Sequence, residues 1–141
     1  MLFRSPLYAC AKEVVRRYGP LLEDLGLTYT QYICLMALWE QDGLSVHELG
    51  ERLCLDSGTL TPLLKRLEAA GLVTRVRSAA DERRLEVHLT DEGRSLQARA
   101  ASVPAKMACG LPLSAEEALQ LGQLLWTLLA RMGVQEEAKE N

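Results

Sequence analysis

Between Leu44 and Leu89 the apolar residues change their spacing from three and four to two, which restricts the fold more than any other feature of the chain. Leu44-Ser45-Val46 reads as a short extended stretch, with Ser45 placed to cap a helix over His47 to Leu53. Leu55-Asp56-Ser57-Gly58 is a break, and either Asp56 or Ser57 can cap a second helix from about Thr59 to Ala70. Two short helices joined by a tight turn make a helix-turn-helix. Gly71 suits a left-handed cap, after which Leu72 to Arg77 and Leu85 to Leu89 alternate with period two around the polar stretch Ser78 to Arg84. The expected fold is mostly α with a small β-hairpin, a winged helix-turn-helix.

Helical patterns flank this module on both sides. Leu7, Ala11, Val14, Val15, Tyr18, Leu21, Leu22 and Leu25 trace an amphipathic helix in which Pro20 marks a kink or break. Thr28 fits the N-cap of a strongly apolar helix from Tyr29 to Trp39, stopped by Gln41, Asp42 and Gly43. Thr90 opens a helix expected to run to about Ala108, and Gly110, Pro112 and Ser114 punctuate the segment beyond it. Ser114-Ala115-Glu116-Glu117 is a capping box ahead of a last helix from Ala115 to Met132, and the polar tail from Gly133 is expected to fray. Leu119, Leu121, Leu124, Leu125, Trp126, Leu128 and Leu129 make that last helix apolar over too wide an arc for one partner. The reading is one domain in which residues 1–28 and 91–141 form a homodimer and residues 29–90 form the DNA-binding lobe.

A formal net charge of -3 argues against a nucleic-acid binder only until its distribution is considered. From Thr61 to Arg84 there are six basic residues against three acidic ones. Ser57, Thr59 and Thr61 fall on the first turns of the second helix of the pair, where hydroxyls meet base edges or phosphates, and Lys65 and Arg66 would follow the backbone. Arg75 and Arg77 extend the basic surface along the hairpin. At its tip, Asp81 is expected to hold Arg83 so that the guanidinium enters the minor groove, where the potential is most negative. The expected partner is double-stranded, pseudo-palindromic operator DNA, with no cofactor.

Other function classes find little support. No apolar run approaches the roughly 18 residues that span a bilayer, and the start of the chain lacks a signal-peptide pattern, so a cytoplasmic protein without a membrane partner is expected. Cys10, Cys34, Cys54 and Cys109 form no C-x-x-C pair, and His47-Glu48-Leu49-Gly50-Glu51 lacks the second histidine of a zinc-protease box. Cys34 and Cys54 are read as small apolar fillers. A thiol peroxidase using Cys10 is the enzymatic alternative; the primary reading is not an enzyme.

The run Leu55-Asp56-Ser57-Gly58-Thr59-Leu60-Thr61-Pro62-Leu63-Leu64-Lys65-Arg66-Leu67-Glu68, with Gly71-Leu72-Val73 and Asp81-Glu82-Arg83, resembles the MarR family, in particular its organic-hydroperoxide-resistance repressor branch. The resemblance extends from about Leu7 to Met132 and implies a dimeric repressor that leaves its operator when a cysteine near the N-terminus is oxidised. In that branch the cysteine lies four residues before a tyrosine, and further tyrosines stabilise its thiolate. Tyr8, Tyr18 and Tyr29 match the tyrosines, but the position of the cysteine holds Arg4, which cannot form a sulfenic acid. Cys10 is the substitute, with Lys12 placed to lower its pKa, although six positions along a helix turn it by about 240°. Cys109 lies where two-cysteine members keep a resolving thiol. The resemblance allows a second signal, a small aromatic or phenolic ligand held near Tyr8, Tyr18, Tyr29 and Trp39.

Overall fold

The structure, a computed structural model, describes residues 4–134; the end of the polar tail, where fraying is expected, lies outside them. The chain divides into two compact units, Met1–Ala108 and Cys109–Asn141.

The first unit is built around a leucine-rich core. Helix α1 (Arg4–Glu23) is followed by α2 (Tyr29–Glu40), strand β1 (Leu44–Ser45), α3 (Val46–Leu53), α4 (Ser57–Ala69), β2 (Val73–Arg77), β3 (Leu85–Leu89), α5 (Asp91–Ala100) and α6 (Val103–Gly110). Helix α1 runs through Pro20 unbroken. Leu22, Leu35, Leu38, Leu49, Leu60, Leu64, Leu67, Val73 and Val87 are fully buried, so α1, α2, the helix pair and the sheet share one apolar interior. Burying these side chains is what holds α3, too short to be stable alone, against its neighbours.

Local chemistry sets the boundaries. Thr28 and Gln31 form a capping box at α2, and Ser45 and Glu48 form one at α3. At α4 the cap is Asp56, whose Oδ1 accepts the Thr59 N–H at 2.8 Å, which leaves Ser57 on the helix itself. Gly71, at φ +77°, ends α4: the Leu72 N–H reaches back to the Leu67 carbonyl at 3.0 Å, the six-to-one bond of a glycine cap.

The sheet has three strands, in the order β1-β3-β2, all antiparallel. The expected hairpin is present, with Val73 opposite Leu89 and Arg77 opposite Leu85. The stretch at Leu44 adds a third strand, pairing Leu44 with Val87 and Ser45 with Glu86.

One expected helix is two. The segment from Thr90 to Ala108 breaks after Ala100 and restarts at Val103. In a continuous helix Pro104 would lack the N–H owed to the Ala100 carbonyl and its ring would collide there, whereas a first turn accepts it.

The second unit contains α7 (Ala115–Arg131), opened by the Ser114–Glu117 capping box. No residue of α7 is buried; Leu124 is 68% exposed and Trp126 49%.

Candidate nucleic-acid interface

The α3–α4 turn is tight enough to constrain its residues. Cys54 closes α3 in the left-handed region at φ 54°, with its N–H directed to the Glu51 carbonyl, and the Leu55 N–H bonds the Gly50 carbonyl at 3.0 Å. Cys54 is exposed, which corrects its reading as an apolar filler: the turn points its side chain away from the core. Cys34 does fill the core, and burial pushes its thiol up to about 12.

Helix α4 seats Leu60, Leu63, Leu64 and Leu67 inward, at helical spacing. The opposite side carries the expected contact residues. Ser57, Thr61 and Lys65 lie four apart along one stripe, Arg66 lies on the neighbouring stripe with Gly58 and Pro62, and Thr59 lies on the one beyond, with Leu63 and Leu67. Ser57, Thr59, Lys65 and Arg66 are exposed and Thr61 is half-buried. Among the described residues neither Lys65 nor Arg66 is in an ion pair, so both charges face outward unspent.

The wing tip is organised by its main chain. The Ser78 N–H donates to the Arg84 carbonyl at 2.8 Å, and the Arg84 N–H donates to the Asp81 carbonyl at 2.9 Å. Asp81 does hold Arg83, but through the backbone: its Oδ1 accepts the Arg83 N–H at 3.0 Å. A carboxylate two residues earlier forms an Asx turn more readily than it reaches the end of an arginine on the same loop. The Arg83 guanidinium is therefore exposed and in no ion pair among the described residues. Arg77 turns back on the tip, its Nη1 donating to the Glu82 carbonyl at 3.0 Å.

Two arginines are engaged instead with the helices. Arg75, expected on the basic DNA-binding surface of the hairpin, donates from Nε to Glu68 of α4 at 2.8 Å, because period two places it on the strand face toward that helix. Arg84 meets both oxygens of Glu48, at 3.0 and 2.9 Å. The Ser45 N–H, with Arg84 beside it, holds the Glu48 carboxyl below the usual carboxylate range. Sequence reasoning missed this pair. The capping box marks Glu48, but nothing local links it to a residue 36 positions away.

The tyrosines separate into two places. Tyr18 lies 5.0 Å from Tyr29 and 5.8 Å from Tyr32, ring centre to ring centre, and Tyr32 meets Trp39 edge-on at 6.4 Å. Burial, then the neighbouring phenols, push the Tyr18 and Tyr32 hydroxyls upward. Tyr32, the buried member, was not singled out by sequence. Tyr8 lies ten residues, about 15 Å of helix, before Tyr18, with the Lys12 ammonium 5.3 Å from its ring centre. Cys10 and Cys109 are both exposed. Among the described residues no cluster of His, Cys, Asp or Glu could hold a metal ion, and no helix is long and apolar enough to cross a membrane.

Known proteins share this arrangement. The family described as "Transcriptional regulator SarA/Rot" matches residues 16–99. The "Organic hydroperoxide resistance transcriptional regulator" of Bacillus subtilis (strain 168) is 46% identical over 123 residues, 87% of this chain and 84% of that one. Among solved structures, reduced AbfR bound to DNA matches with a TM-score of 0.81 and 31% identity, covering 93% of this chain and 90% of that one. AbfR is a Staphylococcus epidermidis protein, solved also in overoxidised and disulfide forms. The S. aureus MepR–DNA complex matches with a TM-score of 0.81 at 27% identity over 93% of this chain and 98% of that one.

Proposed function

This chain belongs to the SarA/Rot family of transcriptional regulators, winged-helix DNA-binding proteins of MarR type, and from that premise we propose that it is a homodimeric repressor released from operator DNA by thiol oxidation. It is not an enzyme: the family and its relatives are transcriptional regulators, which removes the thiol-peroxidase alternative.

The observation that carries the proposal is the division of charge in the central lobe. The carboxylates of Glu48 and Glu68 are taken up by Arg84 and Arg75, while Lys65, Arg66 and Arg83 stay exposed and in no ion pair among the described residues. An acidic chain thereby offers a basic face, with Ser57, Thr59 and Thr61 toward base edges, Lys65 and Arg66 along phosphates, Arg83 in the minor groove, and Arg77 shaping the tip. Dimerisation through residues 1–28 and 91–141 is supported by the exposed leucines and Trp126 of α7 and by exposed Leu7, Tyr8 and Val15 of α1. Two copies would set two recognition helices about one turn of duplex apart, fitting a pseudo-palindromic operator in the cytoplasm.

Oxidation is the favoured signal because Cys10 and Cys109 are exposed thiols and the similar AbfR exists in oxidised forms. Arg4 stands where the resemblance expects the sensing cysteine, so Cys10 takes that role, with Cys109 as resolving thiol. The second reading, a small aromatic or phenolic ligand, is favoured by the Tyr18, Tyr29, Tyr32 and Trp39 rings, with Tyr8 outside that cluster. Titrating operator release with cumene hydroperoxide and with salicylate separates the two. Release by peroxide and its loss in Cys10→Ser is expected; release by salicylate alone favours the ligand, and peroxide release that survives Cys10→Ser removes that thiol.

A further inference from the structure

We infer that Glu48 and Arg84 form a clamp that positions the wing against the helix-turn-helix, so that operator recognition depends on an ion pair placed behind the reading surface. The inference rests on the DNA-binding reading and adds to it a positioning role for two residues.

The need for a clamp arises in the sheet. Strand β1 pairs only with Glu86 and Val87, so the outer end of the hairpin, where Arg77 faces Leu85, has no third strand. A two-stranded ribbon in water is marginally stable alone, and its tip swings unless something holds it. Arg83 sits at that tip, and a side chain meant for a groove must be held at a fixed distance from the recognition helix.

Arg84 is the closing residue of the tip. Its carbonyl accepts the Ser78 N–H and its own N–H reaches Asp81, so its main chain moves with the turn that carries Arg83. Its side chain ends on Glu48, with Nη2 at 3.0 and 2.9 Å from the two oxygens and Nε 3.5 Å from Glu86. Glu48 is itself fixed, because its Oε2 accepts the Ser45 N–H at 2.8 Å in the α3 capping box. The other strand is tied as well: Arg75 on β2 is held by Glu68 of α4. Strand β2 and the tip residue that leads into β3 are thus fastened to different helices of the pair.

Charge alone makes the opposite prediction from positioning, which gives the test. A carboxylate beside a duplex repels phosphates, so its neutralisation should tighten binding to any DNA if electrostatics were its whole effect. Glu48→Gln removes the charge while keeping an acceptor for the capping box. The probes are the duplex that the wild-type protein enriches from a randomised library and a scrambled duplex of equal length. Glu48→Gln is expected to weaken the enriched duplex by up to about fivefold, the upper range of an exposed ion pair, without weakening the scrambled one. Glu68→Gln at the second tie should move the ratio the same way. In a double-mutant cycle, Arg84→Gln should cost less once Glu48 is Gln. Equal or tighter binding of both duplexes by Glu48→Gln overturns the clamp, as does the same cost for Arg84→Gln in both backgrounds. If the wild-type protein enriches no duplex, the DNA-binding reading fails first and takes the clamp with it.

Discussion

Gly93 lies where the first turn of α5 crosses the Leu72 carbonyl, and an added Cβ would overlap that oxygen. The junction is held by three further bonds: Thr90 N–H to the Leu72 carbonyl at 3.0 Å, Thr90 Oγ1 to the Gly71 carbonyl at 2.6 Å, and Trp39 Nε1 to the Gly93 carbonyl at 2.9 Å. Gly93→Ala should therefore lower stability by about 1 to 3 kcal/mol, the cost of overpacking a tight contact, read as a lower denaturant midpoint with an unchanged slope. The sequence marks Thr90 as a cap but holds no reason for a glycine three residues on, because the atom that excludes a side chain comes from Leu72, in the turn between α4 and β2. The same holds for Glu48 and Glu68: their partners are chosen by folding, not by spacing. Gly71, whose capping bond is local, was legible; Asp81 is expected from sequence to hold the Arg83 side chain, whereas its carboxylate takes the Arg83 N–H.

At the scale of elements, the proposed interface gives α4 and the wing different work. Lys65 lies on the exposed stripe of a helix whose buried stripe is all leucine, so Lys65→Ala should leave the fold alone and weaken selected and scrambled duplexes alike. Its mark is a salt dependence of binding reduced by about one counterion, measured by titration at several salt concentrations. Arg83→Ala should instead cost the selected duplex about 1 to 3 kcal/mol and relax preference where the wing tip sits. Element order could be read from periodicity, because amphipathic helices and a half-buried hairpin repeat their pattern over several residues. Two features could not. The extended stretch at Leu44 was legible, but at two residues it is too short to reveal that it pairs with β3, and the α5–α6 break depends on one proline in an otherwise helical stretch.

The whole molecule is governed by surface that one chain leaves uncovered. Leu119, Leu121, Leu124, Trp126 and Met132, on α7 and at its C-terminal cap, are exposed, an expanse of apolar side chain that water penalises and a second copy would cover. In the proposed dimer, symmetry would supply the second recognition helix, and a chain of net charge -3 would bind DNA through two small basic faces rather than through its overall field. Sedimentation of the protein with its selected duplex, at low and at raised ionic strength, tests this most directly. A species of two chains on one duplex is expected, dispersing into free dimer and free DNA as salt rises; a monomer at working concentration, or one chain per duplex, would contradict it.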